Sequence, residues 1–334
     1  MKKTLFVLAC CLISHLAQAA EDSKYVEYWV PGVSRVSGWK DVNKQMTEDD
    51  DEHEIYTGDS HLCWAAAASN VISWWQDYNA DHLANHKEGI PQGEGPIFST
   101  YNDGWRNVGF DGYWGLRWFM DGAPELYTME IYEGYMVSDV YMDPDSLVKG
   151  GFYNDVISDI TSTATMNGVS QLVTDEFGYV VEDVIQLEDF TSELVSAVST
   201  GGVTLGITGT VGKEVFGHAI TLWGVKVNKE SGLIETMWVT DSDDLITYGE
   251  DLDLIELTCK PVTKEQMVGD GVYKDYQVYS IEEKEGRWYS GKYNEYVDSF
   301  GWLSANVQWS IPEPATGTLS LLALAGLAAR RRRK

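Results

Sequence analysis

His218-Ala219-Ile220-Thr221-Leu222-Trp223-Gly224-Val225 and Leu233-Ile234-Glu235-Thr236-Met237-Trp238-Val239-Thr240 are two runs rich in β-branched and aromatic residues. Asn228-Lys229-Glu230-Ser231-Gly232 between them is a turn composition, so the stretch predicts an antiparallel hairpin. Just upstream, Val203-Thr204-Leu205-Gly206-Ile207-Thr208 reads as a further short strand behind a helical pattern around Ser192 to Ser199. Further back, Ser60-His61-Leu62-Cys63-Trp64-Ala65-Ala66-Ala67-Ala68-Ser69-Asn70-Val71-Ile72-Ser73-Trp74-Trp75 reads as a long buried helix. Four alanines favour it, and Asp59 or Ser60 can cap it. Helical signals thus lead and strand signals follow, an order that predicts an α+β fold with an antiparallel sheet.

These placements carry chemistry. Cys63 falls in the first helical turn, where free N–H groups and the dipole favour a thiolate over the ordinary thiol. A thiol nucleophile needs a base, and imidazole is the usual one. His218 follows Gly217 at the start of its strand, an accessible position on a sheet rim. His61 sits two residues before Cys63 and is expected to point elsewhere. His53 lies in the acidic run from Glu48 to Glu54, read as a solvated loop, and His82 and His86 have helical spacing but no zinc motif around them. Across an unbulged hairpin, His218 and Asp241 lie within one residue of symmetry about the turn. Asp241 is therefore the first candidate to orient the imidazole, and Asp243 the next. An oxyanion site would take the Cys63 N–H and a second donor from upstream, with Lys44 and Gln45 as candidates. Cys259 reads as a core thiol, and a Cys63–Cys259 disulfide would silence the site.

The ends bear on cell biology. Met1-Lys2-Lys3, an apolar run from Leu5 to Ile13 and Ala17-Gln18-Ala19-Ala20 read as a secretory signal over residues 1–20, with Cys10 and Cys11 inside it. At the other end, Ile311-Pro312-Glu313-Pro314 precedes an apolar run, Ala315 to Ala329, and then Arg330-Arg331-Arg332-Arg333-Lys334. This tail, residues 311–334, resembles the PEP-CTERM sorting signal. That resemblance implies a Gram-negative bacterium, transient anchoring by a transmembrane helix, and removal by an exosortase-type enzyme, leaving the chain at the cell surface or in the extracellular matrix. The 13 Trp and 19 Tyr exclude a disordered chain. With no internal repeat and no Pro- or Gly-rich linker, residues 21–310 read as one domain. The formal net charge is −28. Removing both ends takes away seven basic residues and Glu313, leaving 17 basic against 51 acidic, a net of −34. Such a charge excludes nucleic acid as a partner.

Three blocks resemble the immunoglobulin-degrading cysteine protease family, IdeS/Mac-1. They are Gly38-Trp39-Lys40-Asp41-Val42-Asn43-Lys44; Cys63 to Asn70 with Trp74-Trp75; and His218 to Gly224 with Val239-Thr240-Asp241-Ser242-Asp243. Gly150-Gly151-Phe152 and Leu205-Gly206-Ile207 fit between them in order. The resemblance implies a divergent papain-like cysteine protease fold, α+β, in which an N-terminal helix carries the nucleophile and the sheet carries His and Asp. It implies Cys63 as nucleophile, His218 as base, Asp241 as orienter, Lys44 at the oxyanion site and Asp243 in support, with no metal or cofactor. Trp64 departs from the Gly that family members carry after the nucleophile, and the segment from Lys44 to Cys63 is longer and acidic. Immunoglobulin as substrate does not carry over. The expected function is an exported cysteine endopeptidase acting on a protein substrate; the alternative is a non-catalytic surface binder on a protease-like fold.

Overall fold

The computed structural model describes residues 24–45, 58–130, 134–143, 145–159, 164–168, 170–174, 180–211, 214–243, 254–268, 272–283 and 295–310. The signal, the acidic run from Glu48 to Glu54 and the tail from Ile311 lie outside them. Strand β1 (Tyr25–Trp29) comes first. Five helices follow, α1 (Cys63–Tyr78), α2 (Ala80–Leu83), α3 (Glu94–Gly104), α4 (Gly112–Asp121) and α5 (Val137–Tyr141). After β2 (Ala164–Gly168), β3 (Ser170–Thr174) and β4 (Val180–Val184) comes α6 (Leu187–Thr200). The chain then runs through β5 (Gly201–Val211), β6 (Glu214–Asn228), β7 (Ile234–Thr240), β8 (Ile255–Val268), β9 (Val272–Glu283) and β10 (Tyr296–Ser304).

The papain-like α+β expectation is corrected by the strand pairing. Around the ring the order is β6-β5-β10-β9-β8-β7, and β7 returns to β6. All six neighbouring pairs are antiparallel, so the strands close into a barrel instead of forming an open sheet beside a helical layer. Closure removes the exposed edges that a single sheet would present. β1 pairs with the end of β6 that β5 leaves free, and β2 with the stretch of β10 beyond β9.

Helix α1 is held because it is apolar nearly all round: from Trp64 to Gln76 every residue is buried. It lies on β5 and β6 and against α3 and α4. The close approach depends on Gly202, where a Cβ would stand 2.8 Å from both Trp74 and Val71. Because α1 covers one face and the barrel interior the other, β6 is buried on both faces from Ala219 to Val225. Helix α4 is stopped at both ends by local chemistry. The Asp111 carboxylate accepts from the Tyr113 N–H at 2.7 Å, and Gly122 ends the helix in the left-handed region. Helix α6 touches four barrel strands, β5, β6, β9 and β10. There the Thr191 hydroxyl meets the Tyr279 hydroxyl at 2.6 Å.

The expectation of a transmembrane helix is also corrected. No helix among the described residues is long and apolar enough to cross a membrane, and the run from Ala315 to Ala329 lies outside them.

Candidate active site

Cys63 is the first residue of α1, and Leu62 ahead of it supplies no side-chain cap. The first N–H groups of the helix have no intrahelical acceptor, and no side-chain cap takes them. The approach to the helix is tied down on several sides. Leu62 N–H donates to the Asp59 carbonyl at 3.0 Å, and His61 N–H to Asn107 Oδ1 at 2.7 Å. The Asn107 amide in turn donates to Ser60 Oγ at 2.9 Å. Both Cys63 and Cys259 are free thiols. Cys259 is buried on β8, and burial pushes its pKa far up, which suits an inert core thiol.

His218 reaches the same place from within β6, its fifth residue and largely buried, where the sequence predicted an accessible strand start. Its partner in β5 is Ile207. Its Nε2 lies 2.8 Å from Asp241 Oδ1, and the ring lines the same cleft as the Cys63 thiol, near enough for each to shift the other's ionisation. The route to this pair differs from an unbulged hairpin. The β6–β7 register slips between Leu222 and Gly224 and again between Lys226 and Val227. The last ladder pair toward the rim is Thr221 with Thr240, so Asp241 falls beside Ile220. His218 is the next side chain on that face, a diagonal neighbour that a ring and a carboxylate can still span.

Lys44 and Asp243 form the layer behind. The Lys44 ammonium lies 2.8 Å from Asp243 Oδ1 and donates to the Ser60 carbonyl at 2.7 Å, and its side chain is only 1% exposed. Its backbone N–H donates to the Ser242 carbonyl at 2.9 Å. The Asp243 N–H donates to Asp241 Oδ1 at 3.2 Å, so the two aspartates are braced to one another through the backbone. Behind them the Thr240 hydroxyl accepts from Trp223 Nε1 and donates to the Lys40 carbonyl, both at 2.9 Å. All five residues expected from the sequence, Cys63, His218, Asp241, Lys44 and Asp243, therefore lie in one connected group. Gln45, the other oxyanion candidate, instead gives its N–H to Asp59 Oδ2 at 2.7 Å.

The electrostatics favour charge separation. Burial acts to raise the Cys63 pKa, but the hydrogen bond and positive charge of His218 and the charge of Lys44 outweigh it and leave the thiol below its ordinary value. Burial acts to lower the His218 pKa, and Asp241 together with the sulfur lifts it well above the ordinary imidazole range. Each group thus shifts the other toward its charged form, the direction a thiolate–imidazolium pair requires. His218, Asp241 and Asp243 are also the group among the described residues whose donor atoms cluster as metal ligands would, within 4.8 Å. Those atoms already serve one another and Lys44.

Cys63 and His218 line an open cleft of about 600 Å³. Its far wall is the loop from Gly109 to Gly112, with Tyr141, and its floor comes from β5, β6 and β10. No local pattern marks the β10 residues Asp298 and Ser299, which sit over 230 positions from Cys63 in the chain. His61 also lines the cleft, against the expectation that it points elsewhere. Trp64, which departs from the family's Gly, is fully buried and donates from Nε1 to the Val108 carbonyl at 2.9 Å. Its ring meets Tyr101, Trp105 and Phe110 edge-on, so it fixes the loop that walls the cleft. His82 stacks on Trp309 with ring centroids 4.7 Å apart, a packing contact.

The sequence model of the Mac-1 family, described as Mac 1, matches residues 12–267. That of the PEP-CTERM protein-sorting motif matches residues 310–334. A protein named IgM protease from Streptococcus suis (strain P1/7) is 26% identical over 242 residues, which make up 66% of this chain and 19% of that protein. The match thus takes in about a fifth of that relative's length.

Proposed function

The chain belongs to the Mac-1 family, and we propose that it is an exported cysteine endopeptidase that hydrolyses peptide bonds in a protein substrate. The observation that carries the reading is the imidazole of His218 on Asp241 Oδ1, in the cleft that the Cys63 thiol also lines. The Cys63 thiolate attacks a peptide carbonyl. Negative charge develops on its oxygen next to the Cys63 N–H at the helix start and within the field of the Lys44 ammonium, which retains a proton beyond those given to Ser60 and Asp243. The imidazolium of His218 protonates the leaving amine, and the neutral ring then takes a proton from water, which hydrolyses the thioester. Asp241 fixes the ring's orientation, and Asp243 holds Lys44.

In this reading the mature enzyme is residues 21–310, freed from the signal at residues 1–20 and, by an exosortase-type enzyme, from the tail at residues 311–334. It acts at the cell surface or in the extracellular matrix of a Gram-negative bacterium. The relative's name supports a protein substrate, while the short overlap with it leaves immunoglobulin outside the proposal. A non-catalytic binder would sit more easily with a bridged or inaccessible cysteine, whereas Cys63 is a free thiol lining an open cleft. The test is a peptide-library digest with the mature chain, read by mass spectrometry. Cleavage that disappears in Cys63→Ala supports the assignment; cleavage that persists in that variant overturns it.

A further inference from the structure

The cleft beside Cys63 is charged unevenly. Among the described residues its lining includes two carboxylates, Asp111 and Asp298, and neither lysine nor arginine. Asp298 reaches it through an irregularity in the barrel. The β10–β5 register shifts between Val297 and Ser299, so Asp298 is the extra residue of a bulge and has no partner in β5. Bulges re-aim side chains, and this one turns a strand carboxylate into the cleft. Gly206 leaves the room: a Cβ there would stand 2.8 Å from Asp298 Oδ1 and 2.2 Å from Ser299 Oγ.

The carboxylate is held by neutral donors that fix its position. The Ser299 hydroxyl donates to Oδ1 at 2.8 Å, and the Thr208 hydroxyl donates to Oδ2. Among the described residues Asp298 makes no ion pair. Lys264, on the neighbouring part of the barrel, lies over the Tyr296 ring. Asp111 spends one oxygen on capping α4 and keeps the other. Burial, and secondarily the charge of Asp298, pushes its pKa up, which places the two carboxylates within electrostatic reach of each other.

The distance to the thiol follows from the strands. Ser299 lies opposite Gly206 and Gly206 opposite Ala219, which lines the cleft together with Cys63. Two strand spacings of ~4.8 Å separate Asp298 from that point, roughly 10 Å in all. An extended peptide rises ~3.3 Å per residue, so about three residues cover the gap. Phe216, Phe110 and Tyr141 add apolar walls along which an aliphatic stem can lie.

We propose that Asp298, with Asp111 beside it, selects a lysine or arginine side chain two or three residues from the scissile bond. The inference deepens the peptidase reading and rests on it. A cation on an apolar stem matches both features of this end of the cleft, and acidic peptides are excluded by the same charge.

The test uses the mature chain and matched peptides that differ only in lysine, norleucine or glutamate, scanned across the three positions on either side of the cleaved bond. At one position kcat/KM for lysine should exceed that for norleucine by about tenfold, the worth of one desolvated charge contact. Asp298→Asn should bring that ratio near one, and Asp298→Lys should turn it in favour of glutamate. A structural role would lower all peptides together and keep the ratio, and that result overturns the proposal, as does a wild-type ratio near one at every position. Fluorescence anisotropy of the same peptides on Cys63→Ala reads the subsite without turnover. Lysine preference there, lost in Cys63→Ala/Asp298→Asn, supports the subsite even if no peptide is cut, in which case the peptidase reading alone fails. Equal binding of all three peptides overturns the subsite.

Discussion

Lys44 carries its charge in a place that water does not reach, between the Ser60 carbonyl and Asp243. Removing one partner of such a pair strands the other, so Lys44→Met should destabilise the fold by about 3 kcal/mol. It should also slow alkylation of Cys63 at neutral pH, because the Lys44 charge is one of the forces holding the thiol pKa down. Urea midpoints and labelling rates read the two effects. Adding Asp243→Asn removes the stranded charge and should recover part of the stability while leaving labelling slow. Full labelling speed in Lys44→Met would refute the assigned field. At Trp64 the departure from the family's Gly has a local explanation. Gly115 lies against its ring, where a Cβ would approach within 3.1 Å, so a large residue on α1 is matched by a small one on α4.

At the scale of elements, the site depends on how α1 meets β5 and how β7 ends. Gly202→Ala forces a Cβ against two fixed side chains and should cost about 1–3 kcal/mol in denaturant unfolding. Thr240→Val strips the hydroxyl that ties Trp223 to the Lys40 backbone, just ahead of Asp241. It should cost about 1–3 kcal/mol through the unpaired indole N–H, and lower kcat more than it raises KM, because the orienting carboxylate loosens. Equal stability in the variant would mean that the tie contributes nothing to the fold. The helix from Cys63 and the strands around Val203, His218 and Leu233 were legible because each is a local pattern of composition and periodicity. β8 and β9 were not, since their ladder from Leu257–Glu283 to Val268–Val272 mixes charged and apolar positions. Closure of the barrel needs the β6–β7 and β10–β9 pairings together, a relation between distant segments that no local window contains. The bulges in β6 and β10 are similarly silent in sequence, and one of them moves Asp298 into the cleft.

At the scale of the molecule, burial of tyrosine hydroxyls sets an alkaline limit. Burial pushes both Tyr153 and Tyr279 up to about 12 from an ordinary value of 10.0. Between those values the unfolded chain has released protons that the folded chain still holds, so stability falls as pH rises from 10 toward 12. Tyr153→Phe, which gives up a hydrogen bond from Gln76, should flatten that fall in urea midpoints taken at pH 9, 10 and 11. An unchanged slope would place the alkaline loss elsewhere. The mature chain's strong negative charge adds a long-range pull on cationic peptides. Raising salt should therefore lower kcat/KM for lysine peptides more than for norleucine ones.

A thiolate–imidazolium pair of Cys63 and His218 shows itself in the pH dependence of iodoacetamide alkylation. On the mature chain, Cys63 labelling should be fast at pH 5 to 6, below the range of an ordinary thiol. In His218→Ala that limb should vanish and labelling should rise only at alkaline pH, since burial then raises the thiol pKa with less to oppose it. Slow labelling of the wild-type chain that rises only near pH 8.5, unchanged in His218→Ala, would contradict the pair and with it the peptidase assignment.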